Sequence, residues 1–226
     1  IKQLKRLTIS GKNLTAITAK AFSSSETLGN LESLKLYKNK IGDEGIKYFA
    51  DSEKLPNLKS LRLSWNNIGP KGAKYIAEST NLGQLTTLVL SENKIGDEGI
   101  KYLTEAKSLT SLESLDLRKN SVTDEGAKAL SKSQNFPKLQ MIDLTGNELT
   151  KEGFDALAEL KIFNLIRARL SDDGAKLDLS NLRLSDIECK SIAECEELKN
   201  LTHLYLELNQ ITEIGVKLLA DSTFLQ

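Results

Sequence analysis

The sequence contains little of what enzymes and metal sites are built from: one histidine and two cysteines in 226 residues, and no C-x-x-C or H-E-x-x-H motif. Histidine is the commonest general base and a frequent metal ligand, so a single copy limits both kinds of chemistry. That copy, His203, falls on a predicted strand near Thr202 and Tyr205, with no nucleophile or metal partner. No phosphate-binding loop or acidic metal cluster is present. We therefore expect a protein that is not an enzyme, with no catalytic residue, no metal and no cofactor.

The scarcity of cysteine bears on the cellular compartment. Cys189 and Cys195 lie six residues apart on one predicted helix, where their side chains point in different directions and cannot form a disulfide. Reduced thiols are typical of intracellular proteins. The chain has no long apolar run, and residues 1–9 carry three basic residues and already begin a repeat, unlike a signal peptide. We expect an intracellular, cytoplasmic location.

Charge of one sign is also missing. The 31 lysines and arginines are matched by 31 aspartates and glutamates, which gives a formal net charge of zero. Such a balance provides no electrostatic footprint for nucleic acid or for an anionic membrane. We expect neither as a partner, and no small-molecule substrate.

What the chain does contain is a repeat of 27 residues. Each regular copy reads L-x-x-L-x-L-x-x-N-x-I/V/L-x-x-x-G-x-x-x-φ, where φ is apolar. Five copies in a row begin at Leu31, Leu58, Leu85, Leu112 and Leu139. A degenerate copy precedes them from Leu4, and a regular one starts at Leu201. Self-similarity at a fixed period of this length predicts a solenoid.

The pattern within one copy predicts a strand, a turn and a helix. The L-x-L core has period two, so its leucines point one way and the residues between them point the other. The segment Gly42–Ala50 has helical spacing, with Asp43 as a plausible N-cap. One such unit cannot close a core, so neighbouring copies must stack. Because strands stack about 4.8 Å apart and helices about 8–10 Å apart, the stack should curve with its strands inside.

The repeat resembles the leucine-rich repeat family, and its length and late G-x-x-x-φ resemble the ribonuclease-inhibitor-like subclass. The resemblance covers essentially the whole chain and implies an α/β solenoid, a curved horseshoe with a parallel β-sheet on the concave face and helices on the convex face. The unbroken repeat predicts a single domain over residues 1–226 with about eight repeats. Neither end shows a polar cap, so we expect the chain to be a segment of a longer protein.

Asparagines and glycines recur in register and have structural explanations. The asparagines stand where each strand turns away, and their amides are expected to pair with backbone groups of the bend as a ladder. They are Asn39, Asn66, Asn93, Asn120, Asn147 and Asn209. The glycines are expected to allow a close approach of helix to strand. They are Gly45, Gly72, Gly99, Gly126, Gly153 and Gly215.

Charged residues on the helices also follow the repeat. Asp-Glu pairs at 43–44, 97–98 and 124–125 mark helix starts, where acidic side chains cap free N–H groups and favour the helix dipole. A lysine column occupies one position of the outer helix, and glutamates three residues earlier are expected to pair with three of its members. The column consists of Lys20, Lys47, Lys74, Lys101, Lys128, Lys190 and Lys217. We interpret this as an ordinary solvated face.

The repeat is irregular at about 158–177. From Leu139 to Leu201 the spacing is 62 residues, eight more than two copies need. One interpretation inserts Ile166–Asp173 into the return loop before a strand at Leu177–Leu179.

A second interpretation uses the match of Leu170–Lys176 to Val122–Lys128. It takes Phe163 and Leu165 as strand residues of a copy that has lost its helix. We favour a distorted or excised turn and expect a locally splayed stack.

The free face of the strands is not constrained by the repeat, so it can vary with a partner. Its middle column reads Lys35, Arg62, Val89, Asp116, Asp143, Asp178 and Tyr205. The next column reads Tyr37, Ser64, Ser91, Arg118 and Thr145, and the strand-exit column reads Lys38, Trp65, Glu92, Lys119 and Gly146. The middle column changes from basic to acidic along the array.

The aromatic residues of this face predict where a partner binds. Trp65, the only tryptophan, lies one strand from Tyr37 and beside Arg62, and these residue types dominate interface hot spots. Lys35 or Arg62 near the rings could add cation–π contacts. The predicted partner-binding residues are Tyr37, Arg62, Trp65, Lys35, Val89, Asp116, Arg118, Asp143 and Tyr205. The last belongs to a second, weaker patch with His203 and Leu208.

These patterns predict a non-catalytic module that binds a protein partner on its concave face. By resemblance it could be part of an intracellular receptor or of a secreted bacterial effector, which would act in the host cytosol. Two alternatives remain open, a GTPase-activating protein of the Ran type and a tight enzyme inhibitor like ribonuclease inhibitor. No motif outside the repeat supports the first. The cysteine-rich, acidic character of ribonuclease inhibitor is absent here, which weakens the second.

Overall fold

A computed structural model describes residues 3–225, and within this range strands and helices alternate along the chain. Residues 1, 2 and 226, on which the expectation of a longer protein partly rests, lie outside the described part. The strands, each of three residues, are β1 (Arg6–Thr8), β2 (Ser33–Lys35), β3 (Ser60–Arg62), β4 (Thr87–Val89), β5 (Ser114–Asp116), β6 (Met141–Asp143), β7 (Lys176–Asp178) and β8 (His203–Tyr205). The helices are α1 (Ala16–Ser23), α2 (Gly42–Ala50), α3 (Pro70–Glu78), α4 (Gly96–Thr104), α5 (Asp124–Ser131), α6 (Lys151–Arg169), α7 (Asp186–Ala193) and α8 (Glu213–Ala220), and a 3-10 turn spans Glu196–Leu198.

The chain divides into two compact units, Ile1–Gly153 and Phe154–Gln226. In the described part of the first unit, β1–β6 form a parallel sheet in sequence order. Each strand pairs with the next at the same repeat position, as where Leu34 faces Leu61 and Leu61 faces Leu88. These leucines are fully buried, whereas most residues between them are accessible. The predicted solenoid of strand–turn–helix repeats is confirmed.

The asparagine ladder is present. Its side-chain amides form hydrogen bonds with the backbone groups of the bends that follow the strands. The Asn93 amide donates to the carbonyls of Leu63 (3.0 Å) and Leu90 (2.8 Å), one in its own copy and one in the copy before. Its side-chain oxygen accepts from the backbone N–H of Asn66 (2.9 Å) and Ile68 (3.0 Å). Within residues 3–225 every buried side-chain nitrogen and oxygen has a hydrogen-bond partner. One amide thus ties two copies together at a point where no strand pairing is available.

The aspartates at the helix starts cap the next helix rather than their own, so the prediction of Asp43 as the N-cap of α2 is wrong. Asp43 is the second residue of α2, and its Oδ1 accepts from the backbone N–H of Gly69 (2.7 Å) and of Gly72 (3.0 Å) at the start of α3. Asp186 caps α8 in the same way through Thr212, whose hydrogen bonds hold the pKa of that carboxyl below its ordinary value. The cause is the side-by-side packing of helix starts, which brings a carboxylate over its neighbour's free N–H groups.

The recurring glycines make room for this capping. A Cβ added at Gly72 would lie 2.6 Å from Oδ1 of Asp43 and 2.6 Å from the side chain of Ile68. At Gly99, where the preceding copy has no aspartate, the contacts would be Ile95 and Ala73. The close approach that the sequence predicted between helix and strand is therefore mainly one between neighbouring helix starts.

Several lysines of the outer helices pair across copies, and the predicted pairing of the column with glutamates three residues earlier is wrong. Lys71 lies 3.2 Å from Glu44, and Lys128 lies 2.6 Å from Glu152. Lys47 lies over the ring of Tyr75 at 5.9 Å instead of pairing with Glu44. Adjacent helices are near enough for these long side chains to reach each other, and such exposed pairs contribute little to stability.

Copies alternate between two ways of entering the helix. In the second and fourth copies the left-handed residue is the first of the helix, Gly42 or Gly96, and the identical segment KIGDEGIKY occurs at 40–48 and 94–102. In the third and fifth copies the left-handed residue comes earlier, at Asn67 or Ser121. The structural period of this part of the chain is therefore two copies.

The irregular segment forms a longer helix. β7 begins at Lys176, 35 residues after β6 begins at Met141, and α6 extends over 19 residues, whereas the neighbouring helices α5 and α7 have 8 each. Phe163 and Leu165 lie in this helix, so their assignment to a strand is wrong. The sequence after Gly153 has no proline or further glycine before Arg169 and is rich in alanine and leucine, which favours continued helix.

The alternative insertion of Ile166–Asp173 into a loop is half correct. Ile166 to Arg169 complete α6, and a turn closed by the Gly174 N–H and the Ser171 carbonyl (2.8 Å) leads into β7. Among the described residues, β7 and β8 form a separate parallel pair. This second unit has its own apolar core of Ile162, Ile166, Leu177, Leu179, Leu184, Ile192, Cys195 and Leu198.

We expect both cysteines to be unreactive in the folded protein. Cys189 and Cys195 are free thiols with 0% and 2% exposure. Burial raises the pKa of Cys189 to about 11 and also raises the pKa of Cys195. A thiol of that pKa is only about 0.1% thiolate near pH 8, and the thiolate is the reactive form. A disulfide reagent should label neither cysteine in native protein and both in concentrated guanidinium chloride. Rapid labelling of the native protein would contradict this burial.

Candidate functional site

The residues between the buried leucines form one surface on β1–β6, which we call the open face. Its middle column is in register across the sheet, since Lys35 pairs with Arg62, Arg62 with Val89, and Val89 with Asp116, followed by Asp143. The predicted columns therefore correspond to real rows of neighbouring side chains.

At the basic end of the open face a lysine joins the two aromatic rings. Lys38 Nζ lies 5.3 Å from the ring centroid of Tyr37 and 5.5 Å from that of Trp65, both within cation–π range. Tyr37 is 40% exposed and Trp65 46% exposed, so the rings remain accessible. We call Tyr37, Lys38 and Trp65 the aromatic cluster. Lys38 was not among the predicted binding residues, although its place in the strand-exit column put it beside both rings.

The backbone of Trp65 has a left-handed conformation. Its φ is 59°, and the corresponding residues Lys38, Glu92 and Lys119 have φ between 50° and 56°. Gly146 occupies this position in the sixth copy, at φ 76°. For a bulky side chain this region is unfavourable by about 1–2 kcal/mol, whereas glycine adopts it without cost. The tryptophan thus occupies a position that favours a residue with no side chain, and strain of this kind is concentrated at functional sites.

Two further cations lie next to the aromatic cluster. Lys35 and Arg62 are exposed neighbours on β2 and β3, and Arg62 Nε donates to Ser60 Oγ at 3.4 Å. Within residues 3–225 neither side chain is in an ion pair. The predicted binding residues Tyr37, Lys35, Arg62 and Trp65 are therefore close together, with positive charge that the protein itself leaves uncompensated.

The acidic end of the open face is largely, but not fully, compensated by neighbouring cations. Arg118 donates to both carboxylate oxygens of Asp116, at 3.0 and 2.7 Å, and lies 3.4 Å from Asp143. Glu92 pairs with Lys119 on the neighbouring exit position. The basic-to-acidic change in the sequence is thus less symmetrical in the structure, because the acidic residues have partners and the basic ones do not.

Val89 lies between the basic and the acidic end of the open face, in the middle column. Its side chain is only 8% exposed, in contrast to the charged residues on either side. It can offer a small apolar contact but little area of its own.

The second predicted patch lies on β8 in the second unit. The rings of His203 and Tyr205 stack at 6.4 Å with an interplanar angle of 23°, and Thr202 Oγ1 lies 2.9 Å from His203 Nδ1. Leu208 beyond the strand is 81% exposed. Tyr205 thus belongs to the two-stranded sheet of the second unit, whereas the other predicted residues belong to the first unit.

A metal site and a membrane-spanning helix have no candidate in the part of the chain that the structure describes. No group of three or more histidine, cysteine, aspartate and glutamate side chains within residues 3–225 could hold a metal ion. None of the helices in that range combines enough length with enough apolar residues to cross a bilayer.

The comparison with known families agrees with this architecture. The model of the family described as Leucine Rich repeat matches residues 30–50, 54–77, 85–103, 108–131, 137–158 and 197–220. These segments cover more than half of the chain. No curated protein matches the sequence of this chain. Arrays of this repeat serve as protein-interaction modules. The chain therefore belongs to the leucine-rich repeat family and is a protein-interaction module of that kind.

Proposed function

We propose that this protein is a non-catalytic module that binds a protein partner on the open face of β1–β6, with Tyr37 and Trp65 as anchors. The observation that carries the proposal is the aromatic cluster, in which two accessible rings are held by the Lys38 ammonium group. Accessible Trp, Tyr and Arg side chains are the usual energetic centres of protein interfaces. Arg62 lies beside this cluster and adds a third residue of that class.

The strained tryptophan supports the same conclusion. Trp65 shares its left-handed backbone with the equivalent Lys38, Glu92 and Lys119, and its side chain is 46% exposed, so core packing does not explain a tryptophan at this position. Contact with a partner would supply the missing stabilisation. The outer helices offer a contrast, because their tyrosines are less exposed and repeat with the helices.

Replacing Tyr37 by Ala and Trp65 by Gly should weaken ligand binding by more than about 1–2 kcal/mol, or roughly tenfold or more. Stability should stay within about 0.5–1 kcal/mol of the wild type, because glycine removes the left-handed strain at residue 65. Peptides selected from a random library on wild-type protein supply the ligands, and biolayer interferometry gives their affinities. Urea unfolding gives the stabilities.

A matched control removes a different aromatic ring. Tyr48 on the outer face of α2 also lies under a lysine, with Lys20 Nζ at 5.7 Å, so Tyr48→Ala deletes a similar cation–π contact away from the open face. This variant should keep full affinity for the selected peptides. Undiminished binding by the Tyr37/Trp65 variant would place the binding site elsewhere.

A further inference from the structure

The uncompensated cations of the open face indicate what kind of partner fits it. We infer that the surface formed by Lys35, Arg62 and the aromatic cluster binds an acidic segment of a protein partner, in which carboxylates alternate with apolar side chains. The inference rests on the proposed function and specifies the chemistry of its ligand.

The first argument is the repulsion built into the free surface. Lys35 and Arg62 stand opposite each other in register on adjacent strands, where like charges destabilise a sheet. The carboxylate of this region, Glu32, is engaged by Lys5 at 2.9 Å, and that pairing lowers the pKa of Glu32. A carboxylate supplied from outside would relieve the repulsion between the two cations.

The second argument is that the rest of the open face opposes an acidic ligand only weakly. Asp116 and Asp143 share Arg118, and Glu92 is paired with Lys119, so these five residues have a net charge of only −1. A segment that crosses the sheet from β2 therefore meets free positive charge first and largely compensated charge afterwards. Although the whole chain has a net charge of zero, this surface has a single sign. Such local complementarity determines which partners bind and how fast.

The third argument concerns the apolar part of the ligand. The rings of Tyr37 and Trp65 are 40% and 46% exposed and lie next to the free cations. In an extended peptide, successive side chains point to opposite faces, so a carboxylate and an apolar group can alternate at intervals of about 3.3 Å. An apolar side chain against either ring would exclude water from the neighbouring ion pairs and strengthen them.

The sole tryptophan makes the test direct, because all indole fluorescence of the protein comes from Trp65. The full chain is titrated with a synthetic peptide of about eight residues, enough to cross the sheet, in which Glu and Leu alternate. Peptides with Gln or Lys in place of Glu serve as comparisons, and a homopolymeric RNA tests whether any polyanion suffices. We expect saturable changes in Trp65 emission with the Glu-Leu peptide. Its affinity should be at least about tenfold higher than that of the Gln-Leu peptide, and should fall as salt is added.

Variants that lack the two cations test whether Lys35 and Arg62 bind the acidic peptide. Lys35→Gln with Arg62→Gln should lower the affinity for the Glu-Leu peptide by about tenfold or more, as expected when two ligand-facing cations are lost. Both side chains are exposed, so the fold should be unaffected, which circular dichroism checks. Lys107→Gln with Lys132→Gln removes the same charge from exposed positions after α4 and α5 and should leave the affinity unchanged.

Several results would overturn the inference. Equal binding of the Glu-Leu and Gln-Leu peptides, no change in emission at millimolar peptide, or full affinity in the Lys35/Arg62 variant would each show that acidity is not recognised. Tighter binding of the RNA would make the ligand a nucleic acid instead of a protein segment. Library-selected peptides that depend on Tyr37 and Trp65 but carry no acidic residues would refute this inference and leave the proposed function intact.

Discussion

Asn120→Ala should lower the free energy of unfolding by about 2–4 kcal/mol, among the largest effects of any single substitution in this chain. Asn120 is completely buried, and its amide donates to the carbonyls of Leu90 (2.9 Å) and Leu117 (3.1 Å). Its oxygen accepts from the N–H of Ile95 at 3.1 Å. Alanine leaves the Ile95 N–H buried without a partner, which costs about 1–3 kcal/mol. It also removes one of the two amide donors from each carbonyl, since Leu90 also accepts from Asn93 and Leu117 from Asn147. Because the fifth copy sits inside the array, the damage also reaches the fourth.

Urea unfolding followed by far-ultraviolet circular dichroism measures this loss. Asn57→Ala is the matched control, because the Asn57 amide is exposed and makes one hydrogen bond, to the Gly29 carbonyl at 2.8 Å. It should change the unfolding free energy by less than about 1 kcal/mol. Equal losses in the two variants would show that the ladder adds nothing beyond ordinary surface hydrogen bonds.

Gly126→Ala should be the second most damaging change, at about 2–3 kcal/mol. The added Cβ would lie 2.4 Å from Oδ1 of Asp97 and 2.6 Å from Cγ1 of Val122. Asp97 cannot simply move away, because it accepts from the backbone N–H of Thr123 (2.8 Å) and of Gly126 itself (3.1 Å). The substitution therefore combines overpacking with the loss of a helix cap.

A double-mutant cycle can show how much of the cost of Gly126→Ala comes from the clash with Asp97. In an Asp97→Ala background the main obstacle is gone, so Gly126→Ala should cost distinctly less than in the wild type. Gly29→Ala provides the control for glycine substitution as such, since the nearest atom to its added Cβ is the Lys54 carbonyl oxygen at 3.9 Å. If the costs of Asp97→Ala and Gly126→Ala simply add, the carboxylate is not what requires the glycine.

The 27-residue period was sufficient to predict the contacts that each copy makes through positions equivalent in all copies. The leucine register, the columns from Lys35 to Asp143 and the asparagine amides follow from the 27-residue spacing, because identical copies stack with identical contacts. Contacts that depend on the distance between neighbouring helices could not be read this way. The caps supplied by Asp43 and the pairing of Glu44 with Lys71 join different copies, and the spacing within a helix suggested nearer partners for both.

The positions of the candidate residues on the sheet followed from the sequence, their electrostatics did not, and their role in binding stays a prediction. Tyr37, Trp65 and Arg62 were found because they vary where the repeat leaves them free. The part played by Lys38 requires knowing that its long side chain lies between two rings. Likewise, only coordinates show that Arg118 neutralises Asp116. The helix α6 was missed because its added length breaks the very period on which the prediction relied.

Successive copies alternate between a left-handed glycine at the helix start, as at Gly42, and an earlier left-handed residue, as at Asn67. This alternation determines which numbers of copies can be deleted from the array without breaking a helix cap. Loss of residues 58–84 would bring the Asp43 carboxylate against the start of α4, whose capping position is Ile95 in a helical conformation. Loss of 58–111 would instead bring it against Thr123 and Gly126, the same groups that Asp97 already caps. We therefore expect this part of the array to tolerate the loss of 54 residues, the distance between the two KIGDEGIKY motifs, better than the loss of the third copy alone.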